Sequence, residues 1–200
     1  MNSSAVPTIG ELPGIESLRI IGRGGFATVY RGWQPAFHRD VAVKVLDGSP
    51  SLARFQKEIR ALGSLSGHPH VVPVYEAGTV GGRPFLVMPF LTGGTLEQWV
   101  RRGPLRTEDV VTLGIAVADA LAAAHQLGIL HRDIKPANVL MTGYGDPQLA
   151  DFGIARFDDS TLTNGQMTAT VSYAAPEVLG GQPATPLSDV YYSVSLSTRP

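Results

Sequence analysis

Two acids, a lysine, an arginine and an asparagine fall within one short stretch of the chain. It runs His131-Arg132-Asp133-Ile134-Lys135-Pro136-Ala137-Asn138, followed by Val139-Leu140-Met141 and, after a predicted short hairpin, by Asp151-Phe152-Gly153. Pro136 excludes a helix through this stretch, because proline removes a backbone donor and its ring collides with the preceding turn. The charged groups are therefore placed on a loop, carried by regular elements on either side, where reactive side chains are commonly presented. These residue types at this spacing suit phosphoryl transfer. Asp133 can take the proton of an attacking hydroxyl, Lys135 can balance charge on the moving phosphate, and Asn138 with Asp151 can hold Mg2+ through oxygen. The competing reading is a polar turn with solvated ion pairs. It suits His-Arg-Asp alone, but accounts poorly for Lys135, Asn138 and Asp151 all following Asp133 at these intervals.

The elements that must position this loop can be read on both sides of it. Upstream, Leu18-Arg19-Ile20-Ile21 reads as a strand running into Gly22-Arg23-Gly24-Gly25-Phe26-Ala27. That glycine spacing also fits a dinucleotide fingerprint, which needs a helix directly after the glycines. Here Ala27 to Trp33 is rich in strand formers and stops at Pro35. Strand, glycine turn, strand makes a flap whose N–H groups can approach phosphates; an ordinary Gly-rich hairpin is the local alternative. Val41-Ala42-Val43-Lys44-Val45-Leu46 reads as a buried strand, where a lysine is costly unless paired with a charge or an anion. Ser49 and Pro50 are set to start a helix whose buried face carries Leu52, Phe55, Ile59 and Leu62. Glu58 shares that face, so Lys44 is its expected partner; two unrelated snorkelling charges are the alternative.

Further along, Val72–Ala77 and Pro84–Met88 are expected as strands joined at Gly81-Gly82. His68 and His70 lack partners at metal-ligand spacing and suit turn or packing roles. Thr95 is placed to cap a short helix with Leu96 and Trp99, closed by Pro104. Thr107, followed by Glu108 and Asp109, is expected to cap the longest helix, with acids at the positive end of its dipole. Val110, Leu113 beside Gly114, Val117, Leu121 and Ala124 form its expected buried stripe, and Gly128 ends it.

Together these motifs resemble those of eukaryotic-like protein kinases, and Asp133-Ile134-Lys135-Pro136-Ala137-Asn138 is similar to the bacterial serine/threonine branch. The resemblance implies an α+β, protein-kinase-like two-lobe fold. It comprises a loose arm over 1–14, a small β-rich N-lobe with hinge over 15–91, a partial helical C-lobe over 92–191 and an aberrant tail over 192–200. ATP and Mg2+ are the implied cofactors, and protein Ser/Thr hydroxyls the implied substrates, self-phosphorylation among them. Asp133 takes the role of base, Lys135 and Lys44 contact phosphates, Glu58 pairs with Lys44, and Asn138 and Asp151 hold the metal. Around the nucleotide the resemblance places Ile21, Gly22, Gly24, Gly25, Val29, Ala42, Lys44, Met88, Pro89, Leu91 and Leu140. Val29, Ala42 and Leu140 sandwich adenine, while the Pro89 carbonyl and the Leu91 N–H serve as hinge contacts. The family often carries an acid where Pro89 stands, and a third glycine where Ala27 stands. Leu62, His131 and Phe152 join a packing column, so His131 is read as a packing residue and not an acid–base group.

The hydroxyl-rich stretch 157–173 resembles an activation segment, ahead of Ala175-Pro176-Glu177. Arg132 is its implied phosphate receptor, Thr161, Thr163 and Thr168 are candidate phosphosites, and Thr170 resembles the residue that contacts Asp133 and Lys135. Ser188-Asp189-Val190-Tyr191 matches the start of a central helix, whose Asp braces the catalytic loop. Beyond Tyr191 the sequence alternates like a strand where the family continues as an apolar helix, so a C-terminally truncated member is expected. Helices at 107–127 and around Asp189 would then lose their covering, and Glu177 its usual Arg partner.

The bulk composition fits a soluble globular protein, with 44% hydrophobic residues in 200. A net charge of -1 gives no electrostatic reason to expect nucleic acid or an anionic membrane as partner. The absence of cysteine excludes disulfides and thiolate metal sites, and fits a cytoplasmic setting. Residues 1–14 lack the basic start and apolar core of a signal peptide, and no segment is read as membrane-spanning. Two functional readings stand: an ATP-dependent serine/threonine kinase, and a truncated remnant acting at most in nucleotide binding or interaction.

Overall fold

The computed structural model describes residues 12–25, 27–47, 52–152 and 175–198. The chain divides into two compact units, one of Met1–Leu52 with Val74–Phe90, the other of Ala53–Pro73 with Leu91–Pro200. Among the described residues no helix is long and apolar enough to cross a membrane.

In the first unit, β1 (Glu16–Arg23), β2 (Ala27–Gln34), β3 (Arg39–Leu46), β4 (Glu76–Val80) and β5 (Arg83–Pro89) form one antiparallel sheet. Their spatial order is β1-β2-β3-β5-β4. β3 lies at the centre. Val41, Val43 and Val45 pack with Ile15, Tyr30, Phe85 and Val87 on one side, while Ala42, Lys44 and Leu46 are buried on the other. Burial on both faces is why its apolar run is nearly continuous. Gly24 N–H donates to Ala27 O at 2.8 Å, and the chain passes from that turn directly into β2. A strand follows the glycines, which removes the dinucleotide reading. Gly81 and Gly82, at φ 56° and 74°, make the β4–β5 turn in a conformation that suits glycine.

The strand expected over Val72–Ala77 starts later, at Glu76. Pro73 has no N–H for a ladder, and Val72 instead donates to Leu149 O at 3.0 Å, inside the second unit.

The second unit holds α1 (Leu52–Leu65), apart from its first residue, and α2 (Leu96–Arg102), α3 (Thr107–Gln126), the hairpin β6 (Val139–Met141) and β7 (Pro147–Leu149), α4 (Pro176–Leu179) and α5 (Pro186–Thr198). α1 buries Phe55, Leu62 and Leu65; the expected cap at Ser49 and Pro50 lies outside the described residues. Thr95 caps α2 through a reciprocal pair, Gln98 N–H to Thr95 Oγ1 and Thr95 N–H to Gln98 Oε1, each 3.1 Å.

Thr107 does not cap α3. It is the first helical residue, and the N-cap is Arg106, which makes no side-chain cap bond. The Arg106 guanidinium instead holds Asp109 through two 2.9 Å bonds, so an ion pair stands where a capping hydroxyl was expected. Leu113, Ala116, Val117, Ala120, Leu121 and Ala124 are the buried face of α3, while Val110 is half-buried and Gly114 exposed. The stripe is rotated toward the alanines, whose small side chains let neighbouring elements come close. Gly128, at φ 70°, ends the helix, with Ile129 N–H returning to Ala124 O at 2.9 Å.

The tail expected to alternate as a strand is helical through Thr198. Pro186 opens α5, Tyr192 is buried, and α5 packs on α3, so tertiary contact overrides the weak helix propensity of its serines. Val111 and Ile115 on α3, with Leu187, Val190 and Tyr191 on α5, remain exposed.

Candidate active site

Gly128 releases the chain from α3 into the loop read first in the sequence, and the loop is tied from both ends. His131 is wholly buried, its ring 4.7 Å from that of Phe152. Asp133 N–H donates to its Nδ1 at 3.2 Å, and its Nε2 lies 2.8 Å from Ala150 O. The carbonyl can only accept, so Nε2 carries the proton and the ring is neutral. Burial pushes its pKa below the usual histidine value, against the raising effects of the Ala150 carbonyl and nearby carboxylates. His131 thus orients the loop as a neutral, buried ring with both nitrogens engaged, Nε2 with Ala150 O and Nδ1 with Asp133 N–H.

Arg132 and Asp151 both adopt left-handed backbone conformations, at φ 65° and 64°. Such conformations cost non-glycine residues on the order of 1–3 kcal/mol, so the surroundings must enforce them. Asp189 at the start of α5 is the anchor for the first. Its fully buried carboxylate accepts from His131 N–H, Arg132 N–H and His125 Nε2, each at 2.8 Å. The brace from Asp189 was anticipated; His125 was not. It follows Leu121 by four residues on α3, on the buried side, and that spacing was its only signal.

With the backbone set, three side chains converge. Lys135 Nζ donates to Asp133 Oδ2 at 2.8 Å, and Asn138 Nδ2 donates to the same oxygen at 3.0 Å and to Asp133 O at 2.7 Å. Asp133 and Lys135 keep about a quarter of their side-chain surface open, 26% and 28%, so an incoming hydroxyl can reach them. Both of these Asn138 side-chain bonds use its nitrogen, so Oδ1 can serve as an oxygen donor for a cation. Asn138 sits in a single 3-10 turn opened by Pro136, and its carbonyl accepts from Ala150 N–H at 2.8 Å, one residue before Asp151. One amide and one carboxylate fit Mg2+, which takes few protein oxygens and completes its shell with phosphate and water.

Leu62 and Phe152 line one cavity of the second unit together with Glu58 and Arg132. The Arg132 Nε is buried there and has no hydrogen-bond partner among the described residues. Leu140 lies in β6, and Leu91 begins the second stretch of this unit. Thr161, Thr163, Thr168 and Thr170 lie outside the described residues.

In the first unit, Lys44 pairs in register with Val29 on one side and Leu86 on the other, and Ala42 pairs with Met88. Gly22 pairs with Val29. Alternation along β3 therefore puts Gly22, Val29, Ala42, Lys44 and Met88 on one sheet face. Gly24 and Gly25 form the turn, Ile21 is half exposed in β1, and Pro89 ends β5. Glu177, expected to lack its usual Arg partner, accepts from the Ser188 hydroxyl at 2.5 Å.

A five-stranded antiparallel sheet, and a mainly helical unit whose loop gathers Asp133, Lys135 and Asn138, make this a two-lobe α+β protein-kinase fold. The chain belongs to the protein kinase domain family, which matches residues 15–197. That match passes Tyr191 and takes in most of α5, a second correction to the reading of the tail. The chain is 50% identical over 184 residues to the serine/threonine-protein kinase PknK of Mycobacterium tuberculosis, covering 89% of this chain and 17% of PknK. It is 42% identical over 179 residues to PknL of the same organism, covering 86% of this chain and 45% of PknL. It therefore spans less than half the length of either relative. Among solved structures it resembles the M. tuberculosis PknI kinase domain with TM-score 0.71 and 29% identity, over 96% of this chain and 74% of that one. Serine/threonine kinases of this family use ATP and Mg2+ and act on proteins.

Proposed function

We propose that this chain carries the phosphotransfer machinery of a serine/threonine protein kinase, moving the γ-phosphate of ATP to protein hydroxyls in the cytoplasm. The observation that carries the reading is the convergence of Lys135 Nζ and Asn138 Nδ2 on one oxygen of Asp133. Asp133 receives the substrate hydroxyl's proton, and its two donors keep the carboxylate aimed until then. Lys135, beside it, is placed to follow charge onto the transferring phosphate. Asn138 Oδ1 and the Asp151 carboxylate would hold Mg2+, which would supply neutralising charge to the phosphates. Lys44 holds the α- and β-phosphates. Ile21, Gly22, Gly24, Gly25, Val29, Ala42, Met88 and Pro89 of the first unit, and Leu91 and Leu140 of the second, are the candidate nucleotide-binding residues. Self-phosphorylation on Thr161, Thr163 or Thr168 would supply an anion for Arg132, whose Nε is buried without a partner among the described residues. No nucleic-acid partner is proposed.

Phosphate transfer from γ-labelled ATP to a serine/threonine-containing protein, compared between wild type and Asp133→Asn, tests this reading. Loss of the base should lower the rate by roughly 10²–10⁴-fold while a Mg2+-ATP thermal shift persists. Equal rates in the two proteins would end the catalytic assignment. A thermal shift with no transfer in wild type would identify the chain as a nucleotide-binding module instead.

A further inference from the structure

The first turn of α5 fastens two different parts of the second unit on consecutive residues. Ser188 is fully buried, and its Oγ donates to Glu177 Oε1 at 2.5 Å while accepting from Thr185 N–H at 3.0 Å. A hydroxyl has one proton, and the Thr185 N–H can only donate, so that proton is committed to Glu177. Thr185 O takes the Ser188 N–H at 3.0 Å and closes the start of the helix. The Ser188 hydroxyl also holds the Glu177 carboxyl below the usual carboxylate range. Asp189, the next residue, grips the N–H groups of His131 and Arg132 at 2.8 Å each. One helical turn thus ties α4 to the loop that carries Asp133. The loop depends on that turn, because Arg132 keeps an unfavourable φ of 65° only while its N–H is held.

We propose that Ser188 is a positioning residue for phosphoryl transfer. By latching Glu177 to the turn that bears Asp189, it sets the backbone of His131 and Arg132 and so the aim of the Asp133 carboxylate. The kinetic consequence rests on the kinase reading; the backbone consequence does not.

The test compares Ser188→Ala, Glu177→Ala, Glu177→Gln and the double alanine variant in the whole chain, by amide hydrogen exchange at His131 and Arg132 and by ATP-dependent transfer. Ser188→Ala and Glu177→Ala should each speed exchange at those two amides by roughly tenfold or more, the range for losing one hydrogen bond to a charged group. The double variant should be no worse than either single one, because both break the same bond. Glu177→Gln keeps an oxygen for the Ser188 hydroxyl and should restore protection. In the transfer assay kcat should follow the amides while KM for ATP stays constant. Unmoved amides, additive losses, or a glutamine variant as impaired as alanine would overturn the proposal. Glu177 is only half-buried, so its variants decide the matter even where Ser188→Ala does not fold. An inactive wild type whose amides still respond would sink the kinase reading and leave the latch standing.

Discussion

Replacing Asp189 with alanine orphans three donors at once: the N–H groups of His131 and Arg132, and Nε2 of His125. Asp189 and His131 are wholly buried, so these donors do not simply turn to solvent. Each one left unsatisfied costs roughly 1–3 kcal/mol. The three costs do not add in full, since the donors share one space and a water can enter the volume of the lost carboxylate. A total of about 3–5 kcal/mol is expected, as for breaking other buried charged contacts. In a chain of this size that lowers Tm by roughly 10 °C. Asp189→Asn is the sharper variant. Its amide oxygen can still serve His131 and His125, which share Oδ2, but its NH2 then faces the Arg132 N–H. One bond is lost and two donors oppose each other, for a cost of about 2 kcal/mol. Urea unfolding followed by tryptophan fluorescence reads both numbers, and transfer activity should fall with them. An alanine variant that loses less than about 1 kcal/mol, the level of an ordinary surface change, would refute the claim that this carboxylate holds the loop.

Three further outcomes follow from local geometry. A Cβ at Gly93 would lie 2.6 Å from Met141 O and would also meet Thr142 O, both backbone atoms, so Gly93→Ala should cost about 1–3 kcal/mol in urea unfolding. An unchanged midpoint would show that this crossing is loose. Thr95→Ala removes the hydroxyl half of the capping box and should cost about 1 kcal/mol, with faster exchange at the Gln98 amide; Thr95→Ser should restore both. Because burial lowers the His131 pKa, the unfolded chain accepts a proton that the folded one refuses. Its effect on stability is absent above about pH 6.5, and stability falls below that pH by up to about 1.4 kcal/mol per unit. Denaturation of wild type and His131→Phe at pH 7 and pH 5 checks the sign, and the same pH slope in both would refute it.

Much of the chain was legible because its signals are local. Pro136 forbade a helix beside Asp133, Gly81-Gly82 announced a turn, and Thr95 marked a cap just ahead of Leu96. The alternating valines of β3 marked a strand with a buried lysine. Local signals failed where another side chain or a distant surface took over. Thr107 looked like a cap, yet Arg106 and Asp109 paired with each other across the helix start. Pro73 displaced the start of β4. Residues 192–198 alternate like a strand, but burial of Tyr192 and packing on α3 make them a helix.

The residue types needed for phosphoryl transfer, and their order along the loop, are determined by the amino-acid string alone, since spacing around a proline is a property of a few neighbouring residues. What holds that loop is not. Asp189 reaches His131 across 58 positions, Arg132 across 57 and His125 across 64, and Ser188 turned out to be the partner of Glu177. A buried carboxylate accepts from whichever donors the packing of α3 and α5 brings within 3 Å, and no local pattern encodes which ones those are.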